Sequence, residues 1–213
     1  MNEKKRARAE ARAEKRAARA AAFEKTCAAL KETGYAMRDK TISVRRANWL
    51  GFLCGLPFAA VFFGSMWFLP YRQYALTGVF LADVPLFFVL LTVSIPVHEC
   101  LHALFWAAAN RSFAGISFGI SNATPYCACG RPMRRSGYIL GTLAPFALLG
   151  VLPCVLALCF CNMFAAAVGA CGILCAGGDI LVAGRAIFSR ARLLCDHPER
   201  CGFYAFYAQN GAK

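Results

Sequence analysis

Two of the three histidines in this chain stand four residues apart, within His98, Glu99, Cys100, Leu101 and His102. On an α-helix that spacing puts both imidazoles on one face, where they can share a metal ion while Glu99 sits beside them to take a proton from water. Random placement of three His and seven Glu in 213 residues would produce this HExxH pattern in roughly one sequence in a thousand. A catalytic zinc takes three protein ligands and keeps a fourth position open. Apart from Glu99, the apolar part of the chain holds only Asp83 and Asp179 as acidic residues. His98 and His102 lie 11 and 7 residues before Ala109, and Asp179 lies 9 before Phe188. If both segments run in the same direction, the three groups sit at matching depths, roughly 10 to 17 Å from the segment ends. Asp179 is therefore the candidate third ligand, against the alternatives of a structural hydrogen-bonded Asp or a counter-ion for Arg185.

Two other groups compete for a metal. His197 follows Asp196 and precedes Pro198 and Glu199, a pattern that reads as a surface turn or helix start. Cys127 and Cys129 are separated by one residue, shorter than the usual spacing of structural zinc pairs, and no second Cys/His pair stands nearby.

The elements that must carry these residues are apolar. The chain is 59% hydrophobic and 16% charged, with a mean hydropathy of +0.48. Soluble domains carry about 25% charge, so the composition argues for a polytopic membrane protein. Four apolar spans are expected, at Trp49 to Leu69, Val79 to Ala109, Tyr138 to Phe160 and Met163 to Phe188. Three ionisable groups within five positions at membrane depth are costly, which favours a functional cluster over one that merely hydrogen-bonds neighbouring helices. Pro96 can kink the second span just before His98, and Gly177 and Gly178 would let the fourth span approach the second.

The charge is segregated. Of 24 Lys and Arg, 14 fall in residues 1 to 48 with 6 acidic groups, a local excess of +8. From Glu3 to Leu30 nearly all residues are Ala, Arg, Lys or Glu, which predicts a long, exposed basic helix ending near Thr33 and Gly34. Anionic lipid is a partner this arm could serve; without interleaved aromatics, no specific nucleic acid is expected. Basic residues are sparse after the first and third spans (Arg72 alone, then none) and frequent after the second and fourth. That alternation fits four crossings with both termini cytoplasmic. Between the second and third spans, Phe113, Ile116, Phe118 and Ile120 alternate with small or polar residues before a turn-rich stretch, which predicts a short hairpin on the cytoplasmic face. The twelve cysteines lie mostly in apolar runs with no secretory signal before them, so no disulfide framework is expected.

The expected fold is thus an all-α polytopic membrane protein with about four transmembrane helices, a short cytoplasmic-side β-hairpin and an N-terminal basic helix. Its divisions are a cytoplasmic arm at 1–45, a membrane-embedded domain at 46–207 and a tail at 208–213.

Over residues 45 to 207 the chain resembles the bacterial membrane proteins of the zincin peptidase family, and more distantly the site-2 proteases that cut within the bilayer. The resemblance rests on HECLH at His98, on Pro125 to Cys129, on Leu143 to Phe146, on Ala176 to Asp179, and on Asp196, His197 and Pro198 with Cys201, Gly202 and Phe203. It implies His98, His102 and Asp179 as ligands of one Zn2+ per chain, Glu99 as general base, and a peptide or membrane-protein substrate in the bacterial cell membrane. Site-2 proteases place their ligand Asp immediately before a Gly, whereas Ile180 follows Asp179 here. The competing function is a non-catalytic transporter, metal sensor or scaffold built on the same cluster. A conduction path is hard to draw, because the spans offer few other polar residues.

Overall fold

The computed structural model describes residues 3–68, 76–121, 124–197 and 200–209. Arg72, Pro198 and residues 210–213 of the expected tail lie outside them. The order of elements is α1 (Glu3–Glu32), β1 (Tyr35–Asp39), α2 (Val44–Ser65), α3 (Phe80–Asn110), β2 (Ile116–Ser121), β3 (Thr124–Cys129), β4 (Met133–Arg134), α4 (Arg135–Pro145), α5 (Leu152–Phe160), α6 (Met163–Cys175), α7 (Gly177–Ser189), β5 (Leu193–Asp196) and β6 (Phe203–Ala208).

Three stretches are long and apolar enough to cross a membrane: Val44–Phe68, Leu81–Asn110 and Arg135–Phe160. The expected fourth span is bent. α6 and α7 meet at 51° across Ala176, so together they form one broken span or a re-entrant pair. Large apolar side chains such as Val61, Leu81, Phe88 and Val93 point outward from α2 and α3. Apolar surface this extensive on a single chain is compatible with a lipid surround. The third span is also interrupted: Phe146–Val151 is a π-helical segment directly after Pro145, joining α4 to α5. Proline lacks the N–H that a regular helix needs there, and π-turns inside helices are a known consequence of such local mismatches.

The hairpin is present as β2 and β3, paired antiparallel from Ile116↔Cys129 to Ser121↔Thr124. The all-α expectation needs correction in one respect: a second, four-stranded antiparallel sheet, ordered β1-β6-β5-β4, lies beside the helices. β6 sits inside it, and its alternating side chains serve two cores. Phe203 and Ala205 pack with Trp106, Tyr138 and Val182 of the spans. Phe206 and Tyr204 pack on the other side with Phe23, Cys27 and Tyr35.

That second core corrects the reading of the basic helix as a freely solvated arm. α1 is polar along most of its surface, but Phe23 and Cys27 are buried against the sheet. Phe23 also meets the rings of Tyr204 and His197 at 5.1 and 5.6 Å. The helix ends at Glu32, and Gly34, at φ +86°, turns the chain into β1.

The helix contacts differ from expectation as well. Gly177 and Gly178 do allow a close approach, but to the first span: a Cβ on Gly177 would collide with the Gly51 carbonyl, and one on Gly51 with the Gly177–Gly178 backbone. α7 packs on α2 and α4, and Asp179 links it to the α3 histidines.

Candidate metal centre

α3 presents His98 and His102 one turn apart, and the N-terminal turn of α7 presents Asp179 to them. His98 Nε2 lies 3.0 Å from Asp179 Oδ2, and His102 Nε2 lies 3.3 Å from Asp179 Oδ1. The two Nε2 atoms are themselves 3.2 Å apart. Among the described residues these three form the one group whose ligand atoms, all within 4.8 Å of each other, could hold a metal ion.

The tautomers fit that use. His102 Nδ1 is 2.9 Å from the Gly141 carbonyl, and only its N–H form can donate there. The Nε2 lone pair of His102 is then left facing the cluster. Asp179 Oδ2 is buried and completes no well-aligned hydrogen bond, despite its 3.0 Å approach to His98. One proton could satisfy one of these three contacts, whereas a divalent cation would satisfy all of them, and imidazole with carboxylate is a donor set that zinc accepts.

A small residue makes the histidine's anchor possible. α4 comes so close to α3 at Gly141 that a Cβ there would overlap the indole of Trp106. Trp106 lies one turn beyond His102 and stacks on it at 5.1 Å and 16°. Its other neighbour is Tyr138, at 5.7 Å and 20°, whose backbone carbonyl accepts from the indole N–H. Tyr138 in turn meets Phe203 of β6 edge-on. A column of rings thus runs from the metal cluster down to the sheet.

Asp196 ties that column to the hairpin. Its carboxylate accepts from the Tyr138 hydroxyl at 2.6 Å and from the Cys129 N–H at 2.9 Å. Burial pushes this carboxyl up to about 6, against the opposing pull of those two donors. The sequence had presented Asp196 only as part of a turn around His197. Trp106 carried a readable signal, since it continues the His98/His102 face by a further four residues.

β3 forms one wall of the site. The pairing of Ser121 with Thr124 closes the hairpin, so alternate residues beyond it turn their backbone groups toward or away from β2. Pro125, Cys127 and Cys129 turn away. The Cys129 N–H is taken by Asp196, while the Cys127 backbone lies beside the Glu99 carboxylate. Glu99 thus stands between its own helix and the β3 wall.

Together these groups surround a cavity of about 370 Å³ that includes His98, Glu99, His102, Tyr126, Cys127 and Asp179. Arg16 of α1 and Arg200 also line it. The two competing metal groups take other parts. His197 stacks on Tyr204 and its Nδ1 accepts from the Arg200 N–H, while Cys127 and Cys129 are free thiols on β3, both pushed up by burial. Asp83 lies elsewhere, accepting from the N–H groups of Leu76 and Thr77 ahead of α3.

No curated protein and no solved structure matched this chain. The likeness to site-2 proteases therefore stands on the sequence motifs alone. A family model did match, over residues 91–193, the segment that carries His98, Glu99, His102, Trp106, Tyr138, Gly141 and Asp179. That family is described as "Putative zincin peptidase", and the ligand cluster of this structure lies within the residues that match it.

Proposed function

We propose that the protein is a zinc-dependent, membrane-embedded endopeptidase that hydrolyses peptide bonds of membrane-associated substrates. The observation that carries this reading is the convergence of two imidazole nitrogens and a buried carboxylate beside a second carboxylate, Glu99, that is not one of the three. His98, His102 and Asp179 would hold the ion. When bound, zinc supplies Lewis acidity, polarising the scissile carbonyl and making water a better nucleophile near neutral pH.

The remaining work falls to the chain. Glu99 accepts the proton of the attacking water and returns it to the leaving amine. The outward edge of β3 lies along the cavity and offers backbone groups to an extended peptide, which orients the scissile bond. The helices around the cluster restrict bulk water. The protein resides in the bacterial cell membrane as a multi-pass chain with both termini on the cytoplasmic side, where the basic segments lie.

Metal content of detergent-purified protein tests this directly, with wild type measured beside His102→Ala. The expected result is about one zinc per wild-type chain and none in the variant. Absence of a specific metal from both, with zinc supplied during purification, would overturn the reading. Stoichiometric zinc without peptide hydrolysis would instead favour the sensor or transporter.

A further inference from the structure

α7 turns Asp179 and Val182 toward the metal cavity, and turns Ile180, Leu181, Gly184 and Phe188 toward a different space. This second cavity is a groove of about 400 Å³ between α2 and α7. Its lining changes character along its length. Ile180 and Leu181 of α7 and Cys54 of α2 form apolar walls, while Arg185 lies roughly 7 Å further along α7 and Lys40 reaches in from the end of β1.

Both cations are half-buried, and neither forms an ion pair among the described residues. The sequence offered Asp179 as a counter-ion for Arg185, but Asp179 is committed to the two histidines. Asp39, next to Lys40, accepts from the Thr41 N–H and faces Arg200. Among the described residues, no carboxylate lines the groove. Two partly desolvated cations without an anion are a costly arrangement unless something from outside completes it.

The level of the site indicates what that is. Lys40 lies just before the start of α2, and Arg185 lies one turn before the end of α7, so they stand at the ends of a candidate span and of the second half of the bent α6/α7 pair. Trp49, 67% exposed on the first turns of α2, is the kind of side chain expected where hydrocarbon meets headgroups, and the exposed Phe188 adds an apolar ring beside Arg185. An arginine fork and an ammonium at that depth match a phosphate diester, and the apolar walls running inward from it match an acyl chain.

We infer that this groove binds one anionic phospholipid, with its phosphate between Lys40 and Arg185 and an acyl chain along Cys54, Ile180 and Leu181. The inference is independent of the metal and of peptide hydrolysis, and rests on the membrane placement of α2 and α7. It is distinct from attraction of lipid by the basic α1, which would need neither residue.

Native mass spectrometry of the full chain released from detergent micelles tests it, with phosphatidylglycerol, phosphatidylcholine or inorganic phosphate added. Wild type should retain one phosphatidylglycerol in preference to phosphatidylcholine. The Lys40→Gln/Arg185→Gln double variant should lose that retention roughly tenfold, since two charge-assisted contacts go. Lys40→Arg/Arg185→Lys should keep it, which separates loss of charge from loss of folding. Arg19→Gln/Lys25→Gln/Lys31→Gln, which neutralises part of α1, should leave it unchanged. Equal retention of both lipids, loss in the α1 variant with survival in the groove variant, or displacement of phosphatidylglycerol by millimolar inorganic phosphate would each overturn the proposal. So would recovery of the protein in the soluble fraction.

Discussion

At the scale of single residues, the site divides into groups that would hold a metal and groups that would move or direct a proton. Glu99 belongs to the second kind, because the three ligand atoms gather without it. Glu99→Gln should therefore bind zinc as wild type does while peptide hydrolysis falls by about 10² to 10⁴, the range for a lost general base. Metal analysis and peptidase activity on the same preparation check this. Asp196 makes a different prediction. Burial raises its folded-state value from 3.8 to about 6, so between these limits the folded protein holds a proton that the unfolded chain has released. Stability should consequently fall as pH rises from about 4 through 6. Asp196→Asn cannot ionise and should flatten that part of the profile even if its stability is lower throughout, as thermal melts across this range would show.

At the scale of elements, close backbone contact decides where Asp179 stands. Gly51 of α2 meets the Gly177–Gly178 backbone with no room for a methyl group, two residues before Asp179. Gly51→Ala should cost about 1 to 3 kcal/mol through overpacking and should weaken zinc binding by displacing the α7 N-terminus. Gly64, on the same helix with nothing within 4 Å of an added Cβ, is the control. Gly64→Ala should be neutral or stabilising by up to about 1 kcal/mol, because only the helix propensity changes. The elements themselves were unequally legible. α3 could be read from its apolar run and its i, i+4 histidines, and the hairpin from its alternation. The pairing of β1 with β6 joins Tyr35 to Ala208, and no local pattern in either strand identifies the other.

At the scale of the whole molecule, α1, the sheet and the helices form three layers, with Arg16 bringing the arm to the edge of the metal cavity. Phe23 is the principal anchor of the outer layer. Truncating it as Phe23→Ala should remove about 3 kcal/mol of docking free energy, and trypsin should cut at Arg19 and Lys25 on the order of a hundredfold faster. Limited proteolysis followed by gel analysis checks this. Topology is a second prediction at this scale: a C-terminal green fluorescent protein fusion should fluoresce and an alkaline phosphatase fusion should be inactive. The reverse would place the basic segments outside.

The sequence by itself determined which side chains could do chemistry together and how apolar the elements carrying them are. HECLH specifies two imidazoles and a carboxylate on one helix face whatever the rest of the chain does, and long uncharged runs can satisfy their backbone in lipid only as helices. These are local properties, set by a repeat of 3.6 residues and by composition. What only the tertiary structure decided depends on contacts between distant segments. Asp179 joins the histidines because glycines on α2 and α7 let those helices touch, and not through the contact with the second span that the sequence suggested. His102 is oriented by the carbonyl of Gly141, and Asp196 by the N–H of Cys129. Backbone groups carry no side-chain identity in a sequence, so their part in the site became visible only when the chain was folded.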